Sequence, residues 1–189
     1  MKRIVLMILL LIMMCISAIG ETTEVYTYDF GDFTIDLDDN ARAGANDKMD
    51  GELWLLVMPD YVEETSFHDN LNLIWQSFHH DLSVMDVDVF VNASVEQISM
   101  QLESEGVDVS GVEVLESGLM EHEGMQGIYF LLKTDYAYML GEQEIDMTLY
   151  IQTSVFSAEE RGSYTFTLTA KGMNEITRMR EILNTIHWK

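Results

Sequence analysis

The sequence predicts an α+β fold, an antiparallel β-sheet with helices packed on its faces. Three observations predict it. Apolar residues alternate with polar ones at Ile145, Met147, Leu149 and Ile151, and again at Tyr164, Phe166 and Leu168. The spacing then becomes helical at Ile176, Met179, Leu183 and Ile186. The connections in this half are short and polar, which suits antiparallel neighbours rather than parallel crossovers.

The N-terminus reads as an address. Lys2 and Arg3 precede a 13-residue apolar run over 4–16, and the small residues Ala18 and Gly20 stand before Glu21. That is the pattern of a cleaved secretory signal over 1–20. The run is short for a bilayer, which takes about 20 apolar residues to cross. An uncleaved anchor is one alternative. Lipidation at Cys15, the one cysteine, is another, with Met14 where a small residue normally stands. Cleavage after Gly20 leaves no cysteine, and with it no disulfide, thiolate metal site or cysteine nucleophile. The expected location is secreted or on the cell-envelope exterior, with no membrane span after cleavage.

Residues 21–189 read as a single domain. The chain of 189 residues has one proline, Pro59, no Pro- or Ser-rich linker and no repeat. Phe30, Phe33, Ile35 and Leu37 suggest a first strand pair broken near Gly31. An apolar run over 53–58 ends at Pro59, and Leu71, Leu73 and Trp75 suggest a further strand. Ser94 and Gln97 form a capping-box pattern. Val95, Ile98 and Leu102 follow at helical spacing, and Gly106 closes the expected helix over 94–105. Alternation over 85–91 fits no element of this plan, and 107–115 returns to strand periodicity.

The run 128–133 is apolar almost throughout, as expected for a strand covered on both faces. Gly141 and Glu142 turn the chain into the next strand, and the polar stretch 157–162 carries it to the last. These three strands form a meander. Asn174 is the expected N-cap of the final helix, whose last turn carries His187 and Lys189 at the negative end of the dipole.

Charge excludes some partners. Ten Lys and Arg face 33 Asp and Glu, a formal charge of −23. Nucleic acid and anionic lipid need cations that this chain lacks. The acids run along the whole chain, so they read first as a surface adaptation and second as a docking surface for cations or a basic partner.

No motif commits the chain to catalysis. His79, His80 and Asp81 cluster, but adjacent side chains diverge and rarely share one metal. His122 and Glu123 begin like a zinc-protease helix, yet Gln126 stands where the second histidine belongs. Asp36, Asp38 and Asn40 have the spacing that opens a calcium loop, with Asp47 at the twelfth position. Ala41 replaces its glycine. Asp81, Asp86 and Asp88 form a second acidic group. There is no Gly-rich phosphate loop and no Gly-x-Ser-x-Gly elbow. Asn92-Ala93-Ser94 is a glycosylation sequon. The fourteen methionines are dispersed and read as core filling rather than copper ligands.

The order and punctuation resemble the Mog1/PsbP-like superfamily of PsbP-, DcrB- and LpqN-type exported proteins. The resemblance rests on Phe33-Thr34-Ile35, Asp69-Asn70-Leu71-Asn72-Leu73, the helix over 94–105 and Gly127-Ile128-Tyr129-Phe130. The long hairpin, the Tyr164-Thr165-Phe166-Thr167-Leu168-Thr169 strand and the final helix complete it. It implies an α/β/α sandwich and a non-catalytic accessory role, and it carries over no catalytic residue and no cofactor. The expectation is a non-enzymatic protein with a protein partner. The alternative is an extracellular calcium- or metal-binding domain, its divalent cation held in acidic loops. A third possibility is a hydrolase, which needs a pocket gathering His79, His80 or His122 with two acids.

Overall fold

A computed structural model describes residues 25–38, 42–46, 53–57, 69–104, 111–140 and 143–189. The expected signal over 1–20, Asn40, Asp47, Pro59, Gly106 and the Gly141–Glu142 turn lie outside these residues. Strands are β1 (Val25–Asp29), β2 (Phe33–Asp38), β3 (Arg42–Asn46), β4 (Leu53–Val57) and β5 (Asn70–Gln76). Helix α1 (Val87–Ser104) follows, then β6 (Glu113–His122), β7 (Met125–Leu140), β8 (Gln143–Ala158) and β9 (Gly162–Ala170). Helix α2 (Met173–Leu183) and a two-residue strand, β10 (His187–Trp188), end the chain described.

The strands form two antiparallel sheets. One has the order β3-β4-β5-β9-β8-β7-β6, the other β1-β2-β10. The expected meander is β7-β8-β9, with Leu132 opposite Ile151 and Ile151 opposite Thr169. The expected first strand pair is the β1–β2 hairpin. Its turn holds Gly31 at φ +87°, and the Asp29 carboxylate accepts the Gly31 N–H at 2.9 Å.

Side-chain alternation builds the layers. On one face of the large sheet, Leu71, Leu73, Leu131, Phe156, Phe166 and Leu168 meet Ile176, Met179, Ile182 and Leu183 of α2. Phe33, Ile35 and Leu37 of β2 join the same core, so the small sheet shares this layer with α2. On the opposite face, Phe130, Leu132 and Ile151 pack with Val91 and Val95 of α1, and Ile128 and Val155 pack with Leu82. The helices therefore flank the sheet, as the sequence predicts, and the small sheet is the added feature. Burying each of the four α2 side chains is worth about 1.5–3 kcal/mol, which is what holds the helix.

Element ends depart from expectation for local reasons. Helix α1 begins at Val87, seven residues before the capping-box pattern. Its cap is Asp86, whose carboxylate accepts the N–H groups of Asp88 at 3.0 Å and Val89 at 3.2 Å. Ser94 is interior and donates its hydroxyl to the Phe90 carbonyl at 2.9 Å. The alternation over 85–91 is thus helical entry, read through Val87, Phe90 and Val91.

The final helix starts at Met173 with Gly172 as cap and no side-chain capping bond, so Asn174 is first-turn rather than cap. It stops at Leu183. The Thr185 hydroxyl accepts the Asp36 N–H at 2.9 Å and donates to the Ile182 carbonyl at 2.7 Å. That contact turns the chain into β10, which pairs His187 with Thr34 and Trp188 with Phe33. His187 and Lys189 consequently leave the helix dipole altogether.

The strand before the last connection also runs longer than the polar stretch suggests. Ser157 and Ala158 belong to β8, and Gly162 opens β9. Gly162 has φ +80°, and a Cβ there would lie 2.2 Å from the Gln76 carbonyl oxygen. Only glycine fits that turn.

Candidate interaction edge

Strand β6 ends the large sheet. Among the described residues it pairs with β7 alone, so alternate N–H and C=O groups along it point outward. It carries exposed apolar side chains. Leu119 is 61% exposed, Val114 41% and Leu115 39%. Register places Leu119 opposite Ile128 and Val114 opposite Leu132, on the α1 face of the sheet. Helix α1 packs on Phe130, Leu132 and Ile151 and also comes close to β6 on that face, yet Val114 and Leu119 stay exposed. A bulge between Val114 and Glu116 breaks the alternation. Glu113, Glu116 and Glu121 are exposed along the same strand.

Hydrogen bonds of three side chains, Glu123, His122 and Arg180, hold β6 in place. Its turn into β7 places Glu123 at φ 49° and Gly124 at φ +82°, the two positive values of a tight hairpin. The Glu123 carboxylate accepts from His187 Nδ1 at 2.7 Å and from the Trp188 N–H at 3.0 Å. These two bonds, the His187 one first, hold its carboxyl below the usual range. His122 Nε2 donates to the Ile186 carbonyl at 2.6 Å. Further along, Arg180 of α2 donates to Glu116 at 2.9 Å and to the buried Gln152 of β8.

The sequence-predicted candidates do not converge. His79, His80 and Asp81 sit in the connection before α1, where the His80 N–H donates to Ser157 Oγ at 2.7 Å. Asp81 accepts from the Ser83 hydroxyl and N–H, which hold its carboxyl low. His80 and His122 lie on opposite faces of the large sheet. Ser157 shares the α1 face with Val155, whereas His122 approaches Phe156 on the α2 face. His122 and Glu123 stand at a hairpin, not on a helix.

Asp36 is on β2, where its carboxylate accepts the Thr27 hydroxyl, and Asp38 ends that strand. Asp86 caps α1, and Asp88 is exposed in its first turn. Among the described residues no three His, Cys, Asp or Glu side chains gather as ligands for a metal. Asn92 and Ser94 of the sequon lie within α1.

Sequence reasoning missed the β6 edge. Its strand carries apolar and acidic residues on the same face, with Gly118 between them, so no clean period appears. A polar strand of mixed faces was the available signal.

No helix of the described residues is long and apolar enough to cross a membrane. No protein-family model matches the chain, and no curated protein does. Solved structures do. The chain is similar to cyanobacterial PsbP (CyanoP) from Synechocystis sp. PCC 6803, at 10% identity and a TM-score of 0.52, over 91% of this chain and 96% of that one. PA94 of Pseudomonas aeruginosa, a protein of unknown function, matches at 10% identity and a TM-score of 0.45, over 88% and 98%. The fold is PsbP-like, with two antiparallel sheets and two helices.

Proposed function

We propose that the chain is a non-catalytic accessory protein that works by binding another protein along β6, outside the cell membrane once 1–20 are removed. The observation that carries this reading is Leu119, 61% exposed on a sheet edge with outward main-chain groups. An edge of that kind accepts an added strand, main-chain bonds supplying affinity and the flanking side chains supplying choice. The non-catalytic part is supported by the dispersal of the histidines and by the structural bonds that occupy His122, Glu123, Asp81 and Asp86. The PsbP-like fold agrees with an accessory role.

Site-specific photocrosslinking tests it. A benzophenone side chain at position 119 is expected to give a discrete adduct in envelope fractions of the source cell. The same group at position 181, on the outer side of α2, is expected to give none. Equal adducts from both positions, or none from 119, would overturn the reading.

A further inference from the structure

The regular part of β6 lies between the bulge at Val114 and Glu116 and the turn at Glu123 and Gly124, and Leu119 stands at its centre. We infer that β6 pairs antiparallel with β6 of a second copy of the chain about a two-fold axis at Leu119, joining two seven-stranded sheets into one. This rests on the reading that β6 binds protein, and it names the protein bound.

Geometry and charge carry the argument. A two-fold pair overlaps most when its axis passes through the middle of the free stretch, here 116–122. Directly opposite residues in an antiparallel pair share a face. On the α1 face Leu119 therefore meets Leu119 of the second copy, with Ser117 against Glu121 on either side. On the α2 face Gly118 meets Met120, and Glu116 meets His122. No like charges stand opposite in this register, and the most exposed apolar side chain of the strand leaves water in both copies. An axis at Gly118 would set Leu119 against Ser117, and one at Met120 would set it against Glu121.

The strand does not call for a cationic partner. Glu113 stands opposite Lys133 of β7, and Glu116 accepts from Arg180 at 2.9 Å. Both acids before Leu119 are thus answered within the chain. The whole-chain charge of −23 opposes the approach of two copies, but salt screens that repulsion beyond about 8 Å at physiological ionic strength. The stretch 116–122 is small beside the roughly 800 Å² per partner of a standard interface. The dimer is therefore weak, forming at micromolar concentration and above rather than at nanomolar.

Sedimentation of the full chain over a concentration series tests it. A monomer–dimer equilibrium is expected, and it should tighten as salt rises, where a cationic partner would bind less tightly. Leu119→Lys and Leu119→Glu are each expected to weaken association by about tenfold or more, since both copies lose a buried leucine and gain like charges. An equimolar mixture of the two variants is expected to restore it, because position 119 meets itself across the axis. Leu119 is exposed, so each variant keeps the fold, which its melting curve checks. Val84 is 79% exposed in the connection before α1, and Val84→Lys is expected to change nothing.

Association indifferent to Leu119→Lys, or a mixture no tighter than the single variants, would overturn the inference. So would a chain that stays monomeric to millimolar concentration. If it is monomeric and the photoadduct from position 119 has a mass other than twice the chain's, the second copy is rejected and protein binding at β6 stands. No dimer and no adduct from 119 reject the reading beneath it as well.

Discussion

Glu123 Oε1 lies 2.7 Å from His187 Nδ1, joining the β6–β7 hairpin to the last strand of the small sheet across 64 residues of chain. The second oxygen of the same carboxylate takes the Trp188 N–H at 3.0 Å. One side chain in a left-handed turn thus clips β10 to the end of the large sheet. Around that clip, Trp188 packs against Phe33 and Phe156, with ring centroids 5.3 and 5.7 Å apart.

The clip makes stability depend on acid. The Glu123 carboxyl is held low in the folded protein, so its contribution is fully present above the ordinary carboxylate range. It is lost as pH falls through the depressed folded value. Glu123→Gln is expected to lower the melting temperature at neutral pH and to flatten the decline between about pH 5 and pH 3. Melting curves across that interval measure it. Parallel declines for both proteins would show that the bond does nothing for stability.

Tyr164 acts at the other end of the scale. Its hydroxyl donates to Asp32 Oδ2 at 2.7 Å, and burial first, then that bond, raise its pKa well above the usual phenol value. The folded state therefore favours the protonated phenol. Its contribution is complete below about pH 10 and is lost as pH rises further. Tyr164→Phe is expected to cost about 1 kcal/mol in urea unfolding at neutral pH. It is also expected to lose stability less steeply than the parent above about pH 10. A neutral substitution would place the hydroxyl bond outside the energetics of the fold.

Arg180 bridges α2 to β8 and β6 through Gln152 and Glu116. Gln152 is buried, and its amide also donates to Ser154 Oγ at 3.2 Å. Arg180→Met is expected to destabilise by about 1–3 kcal/mol, because the amide oxygen loses its charged donor inside the core. Glu116→Gln touches only the exposed arm of the bridge and should change stability by less than about 1 kcal/mol. Denaturant midpoints of the two variants separate the arms. Equal losses would put the weight on the surface pair instead.

The start of α1 is testable by two alanines. Asp86→Ala removes the acceptor of two helical N–H groups and is expected to cost about 0.5–2 kcal/mol. Ser94→Ala removes only a back-bond to Phe90 inside the helix and should be close to neutral or slightly stabilising, since alanine is the better helix former. The opposite order of effects would mean that the helix begins at Ser94.

Both helices and the meander were legible in the sequence because each buries one face. Leu149 and Ile151 keep period two in a covered strand, Tyr164, Phe166 and Leu168 do so towards the α2 face, and Ile176, Met179 and Leu183 keep helical spacing over that second core. Boundaries were less legible. Ser94 and Gln97 mimic a cap where the real one is Asp86, since both patterns offer a side-chain oxygen near orphan N–H groups. The candidate edge was hidden for a different reason. Leu119 looks like any core leucine until the strand order places β6 at the end of the sheet among the described residues.

The sequence by itself determined the alternation of strand and helix, the acidic surface and the absence of a nucleotide or nucleophile-elbow motif. Local periodicity and composition are enough for those, because each element must bury its apolar stripe somewhere. Tertiary structure alone decided where α2 stops, that His187 and Trp188 form a strand, and that β6 is an edge. These outcomes depend on contacts between residues far apart in the chain, such as Thr185 with Asp36 and His187 with Glu123. A two-residue strand has no period to read, and an edge is defined by what is missing beside it.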